Sequence, residues 1–171
     1  MSETTHEDEE VVELRRFSVT TDRPFDDVVA AVYAGLGRVP DFRESVRSWS
    51  AASDRAEFDA MVEPLAGSSG LIEFMSLDLG AVLAVRDEDR SRRLLRIIAG
   101  NPVTMSKMTA TVPDAGSYAP VTILIAERPE GVTLSYDRVA SAIAPYAGDE
   151  ASTVAGKLDE AVLGLLRDAA G

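Results

Sequence analysis

The residue types that most often carry out chemistry are scarce in this chain. Its single histidine is His6, among acidic residues near the start, and it has no cysteine. Imidazole and thiolate are the usual transition-metal ligands, and His is the commonest general base. The glycines are too scattered for a nucleotide-binding fingerprint, and the acidic run 87–89 lacks the alternation and the glycine of an EF-hand loop. We therefore predict no catalytic residue, no metal site and no cofactor, and we interpret 86–90 as a charged turn.

The segment from Asn101 to Met108 is the first candidate binding element. Asn101 and Pro102 suit the N-cap and first turn of a helix, which is a structural role. The alternative is that the same helix start binds an anionic ligand group through free backbone N–H groups. Met105 and Met108 would then form an adaptable apolar wall, although core packing is the commoner fate of such a pair.

Two tyrosines near predicted strand ends complete the candidate site. Tyr118 lies in a loop over 113–120, and Tyr136 lies near the end of a hairpin; each could also be an ordinary, partly buried aromatic residue. Apolar walls with a few polar groups are typical of small-molecule sites. We predict a ligand site lined by Asn101, Met105, Met108, Tyr118 and Tyr136, and we expect a cavity that touches at least three of them.

Hydrophobic periodicity predicts the elements of the first half. A strand over 11–21 precedes a helix with Val29 on its apolar stripe, and Gly37 could end that helix in the left-handed conformation. Candidate capping boxes beginning at Asp41 and Asp54 predict a helical insert over about 41–66. The Gly67–Gly70 stretch reads as a flexible connector, with a mobile lid as the alternative.

The second half is rich in strands. The pattern predicts a short helix from Pro102 to about Thr111 and a closing helix over 149–168 with Leu158 on its apolar face. It predicts strands over 71–79, 81–85, 93–99, 121–127 and 132–137. This order favours an α+β fold: one domain over 11–171, with a mostly antiparallel, curved sheet and helices packed on one face.

Charge limits the partners. The chain has 17 Lys and Arg against 29 Asp and Glu, a formal net charge of −12. Phosphate backbones and anionic membrane surfaces repel such a chain, so we expect neither nucleic acid nor membrane as a partner. Residues 1–10 form a strongly acidic head that we expect to be disordered. No apolar run is long enough for a membrane span and no signal-peptide pattern occurs, so we expect a soluble, cytoplasmic protein.

Several segments resemble a known family. They are Phe17–Thr21, Arg23–Val28, Ile97–Pro102, Tyr118–Val121 and Val132–Asp137. Together they are similar to the family called domain of unknown function 302, from about Phe17 to the closing helix, although 41–85 departs from its shorter members. The resemblance implies a TATA-box-binding-protein-like α+β fold and a homodimer. The resemblance implies no activity, and a shared fold does not by itself imply DNA binding.

Three functions remain open at this level. The first is a non-catalytic binding module for a small, largely apolar ligand. The second is a homodimeric interaction or assembly protein, suggested by apolar strands and by Trp49 and Phe58 in the insert. The third, less favoured, is an enzyme that uses carboxylate or tyrosine chemistry, with Asp78 or Asp137 as the acid or base.

Overall fold

The computed structural model describes residues 5–86 and 92–171. Within these residues the strands are β1 (Arg16–Thr21), β2 (Gly37–Arg38), β3 (Ile72–Asp78), β4 (Leu94–Gly100), β5 (Val121–Arg128) and β6 (Gly131–Asp137). The helices are α1 (Phe25–Gly35), α2 (Phe42–Ser50), α3 (Arg55–Val62), α4 (Leu79–Arg86), α5 (Pro102–Thr109), α6 (Val139–Ile143) and α7 (Asp149–Ala170). The strand order in the sheet is β1-β6-β5-β4-β3-β2. All neighbouring strands are antiparallel except β2 and β3, which are parallel. The predicted α+β class and the helical insert are confirmed.

The main core lies between one face of the sheet and the helices α1 and α7. Ile97 of β4 pairs with Ile123 of β5, and both side chains are fully buried. Val29 of α1 packs against this core, and Leu158 of α7 is only 5% exposed. The stripes predicted for the first and last long helices are therefore the surfaces that cover the sheet.

The segment predicted as a strand over 81–85 is wrong, because it forms α4. The seven consecutive apolar or small residues over 79–85 suit either structure, and the local chain decides. The Asp78 carboxylate Oδ1 accepts a hydrogen bond from the Ala81 N–H (2.9 Å), which starts the helix directly after β3. Of the charged turn predicted over 86–90, Arg86 ends α4 and the rest lies outside the described residues.

The predicted roles of Gly37 and of the 67–70 connector also change. Gly37 does not adopt a positive φ; it lies in β2, where a Cβ atom would overlap the carbonyl oxygen of Leu65. The connector is held in place rather than loose, because the Ser69 N–H (3.1 Å) and hydroxyl (2.7 Å) both donate to the Gly35 carbonyl. Gly37 is therefore needed for a close backbone approach.

The N-terminal residues 5–15 contain neither helix nor strand. The Tyr146 hydroxyl donates to Glu10 Oε2 (2.7 Å), and the Arg15 N–H donates to Ser141 Oγ (2.9 Å). The predicted disorder of 1–10 stays a prediction. Across the described ranges, no helix has the length and apolar character needed to cross a membrane.

Candidate functional site

A cavity of about 240 Å³ lies at the end of the sheet where β4 ends and β3 and β5 begin. Two polar side chains, Ser50 and Asn101, contribute to its surface. Its apolar lining includes Phe42, Val46, Trp49, Phe58, Phe74, Met105, Val121 and Leu158. An apolar recess with few polar groups is the usual form of a small-molecule site.

Helix α2 supplies the aromatic wall. Asp41 starts this helix by accepting a hydrogen bond from the Glu44 N–H (2.9 Å). Phe42, Val46 and Trp49 then follow four and three residues apart, so they share one helix face. The ring centroids of Phe42 and Phe74 of β3 are 4.6 Å apart. The helix is thus attached to the sheet through the same side chains that line the cavity.

Exposure shows where the cavity opens. Trp49 is 8% exposed, whereas Phe42 is 38% and Val46 is 39% exposed. Ser50, which also lines the cavity, is exposed. The opening therefore lies along the side of α2 that carries Phe42, Val46 and Ser50.

The opposite wall is built on the start of α5. Asn101 Oδ1 accepts from the N–H groups of Val103 (2.9 Å) and Thr104 (3.3 Å), and its Nδ2 donates to the Gly70 carbonyl (3.0 Å). The Met105 N–H donates to the Asn101 carbonyl (2.9 Å). Since these donors already have partners, the structural interpretation of Asn101 is confirmed. The geometry gives no support to the alternative that this helix start binds an anion.

Ser50 and the two prolines of the lining offer a ligand no free hydrogen-bond donor, which leaves the indole N–H of Trp49 as the side-chain donor without a partner among the hydrogen bonds of the described residues. The Ser50 hydroxyl donates to the Val46 carbonyl (2.8 Å). Pro102 and Pro120, which both line the cavity, have no backbone N–H. A ligand inside this cavity therefore meets mainly hydrocarbon and aromatic surface.

The structure separates the five residues predicted for the ligand site. Asn101 and Met105 line the aromatic cavity, whereas Tyr118 and Tyr136 border a second depression of about 370 Å³. Met108 is completely buried in the main core, which is the alternative that the sequence left open. The aromatic cavity thus touches two of the five residues, short of the three we expected.

Sequence reasoning missed most of the aromatic wall. Phe42 and Phe74 are not among the residues predicted to line the ligand site. Trp49 and Phe58 were named only in support of homodimeric assembly. The available signal was the spacing of Phe42, Val46 and Trp49 after the Asp41 cap. That signal identifies an apolar helix face but not the strand residue opposite it.

Tyr136 belongs to a buried polar network instead. Its hydroxyl donates to Asp159 Oδ1 (2.7 Å), which also accepts from the Val139 N–H (2.8 Å), while Oδ2 accepts from the Ala140 N–H (3.3 Å). Burial raises the pKa of Asp159 despite these hydrogen bonds. Burial, followed by the charge of Asp159, raises the pKa of Tyr136. The network caps α6 and joins β6 to α7.

The two acids considered for catalysis have structural partners. Arg16 donates to Asp137 through Nε (2.6 Å) and a terminal nitrogen (2.8 Å), and this pairing lowers the pKa of Asp137. Asp78 caps α4. In the portion of the chain described by the structure, no cluster of three or more His, Cys, Asp or Glu side chains could hold a metal ion.

Comparison with family models shows to which family this chain is related. The sequence model described as "Domain of unknown function DUF302" matches residues 49–166, well over half of the chain. This chain belongs to that family. The resemblance inferred from the sequence is thereby confirmed, although the matched range begins at Trp49 rather than near Phe17.

A solved DUF302 structure has the same overall fold. It is the crystal structure of an uncharacterized conserved protein DUF302 from Bacillus stearothermophilus, with a TM-score of 0.62 and 8% sequence identity. The similarity covers 90% of this chain and 97% of that one. At such low identity the likeness concerns the fold alone. A comparison with curated proteins finds no match, and the TATA-box-binding-protein-like detail stays a prediction.

Proposed function

We propose that this DUF302 protein is a non-catalytic binding module for a small, apolar molecule held in the aromatic cavity. The observation that carries this proposal is the cavity of about 240 Å³, open along α2 and walled by Phe42, Trp49, Phe58 and Phe74. Apolar cavities bind apolar guests, and an enclosed cavity of about 150 Å³ accepts benzene. By proportion, this cavity suits roughly ten non-hydrogen atoms.

The single tryptophan gives a direct assay. Trp49 is the only tryptophan of the chain and lines the cavity, so its fluorescence reports on occupancy. Octan-1-ol is a suitable probe. Octan-1-ol has nine non-hydrogen atoms, and a Kd on the order of 0.1 mM, about 5.5 kcal/mol, requires about 0.6 kcal/mol per atom, which is within the range that small ligands reach.

A blocking variant tests whether the probe binds in the cavity rather than to exposed apolar side chains elsewhere on the surface. Val46→Phe places a larger side chain at the opening, and we expect it to weaken octan-1-ol binding at least about tenfold, a change of 1.4 kcal/mol. The matched control is Val82→Phe on α4, where Val82 is 61% exposed and does not line the cavity; its affinity should equal that of the native protein. A Trp49 signal that does not saturate, or that Val82→Phe weakens as much as Val46→Phe, contradicts the proposal. Native mass spectrometry of the purified protein would reveal a molecule that co-purifies.

Homodimeric assembly is a second proposal, and exposed apolar residues on a strand and on the helix after it favour it, whereas the insert does not. Trp49 and Phe58 belong to the cavity, but β3 and α4 carry exposed apolar side chains: Met75, Leu77, Val82, Leu83 and Val85. Grouped exposed apolar residues mark interaction surfaces. Light scattering coupled to size exclusion should show a dimer that Val85→Asp dissociates, whereas a monomer at high micromolar concentration contradicts this proposal.

A further inference from the structure

The opening of the aromatic cavity is bordered by a basic edge of α2. Around this helix the cavity-lining residues become more exposed from Trp49 through Phe42 and Val46 to Ser50. At 3.6 residues per turn, Arg43 lies about 20° beyond Ser50, and Arg47 about 60° beyond it. Both arginines are exposed. The helix surface just outside the opening therefore carries two guanidinium groups.

The acidic residue of this helix lies farther from the opening than either arginine. By the same periodicity Glu44 is about 120° from Ser50, and it is about 60° from Arg47, so Arg43 is the cation nearer the opening. Within residues 5–86 and 92–171, the ion pairs observed do not involve Arg43 or Arg47. Two arginines for which no ion pair is observed in the described residues thus lie on the helix beside an apolar cavity.

We infer that the ligand is an anionic amphiphile, an alkyl carboxylate of about eight to ten carbons, with its chain in the aromatic cavity and its carboxylate at Arg43 and Arg47. This inference rests on the proposed function and adds the charged end of the ligand. No charged side chain lines the cavity among the described residues, so the chain enters first and the charged group stays at the opening. Guanidinium groups match the two oxygens of a carboxylate and can bind it through paired hydrogen bonds.

The experiment compares octanoate with octan-1-ol, which share the chain length and differ in the charged end. With Trp49 fluorescence as the readout at low ionic strength, we expect octanoate to bind roughly five- to tenfold more tightly than octan-1-ol, as one or two exposed charge pairs allow. The double variant Arg43→Gln/Arg47→Gln should remove this preference and leave the octan-1-ol affinity unchanged. The unchanged octan-1-ol affinity also shows that the variant is folded.

Two further variants test whether position and charge are what matter. Arg128→Gln removes an exposed arginine from the far end of β5, about 23 Å along the strand from Val121 in the cavity wall, and should keep the full preference for octanoate. Arg43→Lys/Arg47→Lys keeps both charges and should keep most of it.

The outcomes separate this inference from the proposed function. If octanoate and octan-1-ol bind the native protein equally, the carboxylate assignment is overturned while the binding module stands. A preference for octanoate that persists in the double Gln variant overturns the role of the two arginines. If octyl phosphate binds far more tightly than octanoate, the anionic group is a phosphate ester and the carboxylate is refuted. If none of the three saturates, the proposed function itself fails.

Discussion

Replacing Asp159 by alanine tests the buried network that joins α6, α7 and the end of β6. Asp159 is 3% exposed and accepts hydrogen bonds from the Tyr136 hydroxyl and from the N–H groups of Val139 and Ala140. Alanine leaves the Tyr136 hydroxyl and the Ala140 N–H without this acceptor, and it leaves the Val139 N–H with only a long hydrogen bond to the Tyr136 hydroxyl (3.4 Å). A buried donor left unpaired costs about 1–3 kcal/mol, so Asp159→Ala should lower the free energy of unfolding by roughly 3–5 kcal/mol at neutral pH.

Replacing Asp159 by asparagine isolates the cost of the buried charge. Burial raises the pKa of Asp159 above its ordinary value of 3.8, so the folded state holds this proton more tightly than the unfolded state. The stabilising contribution of the protonated acid is therefore present below that value and is lost as the pH rises through the folded pKa. Asparagine does not titrate, so the native protein should lose stability relative to Asp159→Asn as the pH rises above about 4.

Urea unfolding of the three proteins at several pH values measures both effects. Acids elsewhere in the chain titrate equally in native and variant proteins, so they cancel from the differences. Glu160→Gln is the matched control, because Glu160 is the exposed neighbour that pairs with Arg138 and should change stability by less than about 1 kcal/mol. The reasoning is refuted if Asp159→Ala is as stable as the native protein. It is also refuted if the native protein becomes more stable relative to the Asp159→Asn variant as the pH rises.

Three further substitutions test local explanations by the same unfolding measurement. Gly37→Ala should cost about 3 kcal/mol or more, because its Cβ would overlap the Leu65 carbonyl of the backbone; a cost below 1 kcal/mol would show that the chain relaxes there. Gly156→Ala, in the middle of α7 with nothing within 4 Å of the added Cβ, should instead stabilise by roughly 1 kcal/mol; destabilisation would reveal an unrecognised contact. Asn101→Ala should cost about 1–2 kcal/mol through loss of the α5 cap, and an unchanged midpoint would contradict the capping role.

Much of the fold follows from local rules. Asp41 and Asp54 were expected to start helices, and each accepts a hydrogen bond from the backbone N–H three residues later. The hairpin was expected from its turn, and Gly131 there has a φ of 128°. Both signals need only a few adjacent residues, so they can be read without knowing what packs against them.

The assignments that were wrong depend on contacts with residues that are not adjacent in the sequence. The run over 81–85 has no polar residues to give a period, so its helical state depends on the Asp78 cap and on close packing of Gly80 against the backbone of Arg92 and Leu94. The role of Gly37 likewise depends on a distant contact, since the neighbouring residue Leu65 is far away in the sequence. Tertiary contact decides such positions, and local propensity does not.

The candidate site was harder to predict than the fold because its walls come from separate elements. Met105 and Met108 were grouped by their spacing, but α5 directs Met105 into the cavity and Met108 into the core. Asp159 was not noticed at all. An acid on a long helix reads as a solvated residue, and only the buried start of α6 gives it donors to bind.

Membership of the family does not identify the ligand, because the matched range does not include the whole cavity wall. The matched range begins at Trp49, so it includes the cavity wall on α3, β3, α5 and α7 but excludes the first two turns of α2. Those turns hold Phe42 and Val46 at the opening and Arg43 and Arg47 beside it. The part of the cavity that would recognise the exposed end of a ligand thus lies outside the range that defines the family here. If the inference above holds, the charged end of the ligand is selected by residues of α2 that precede the matched range.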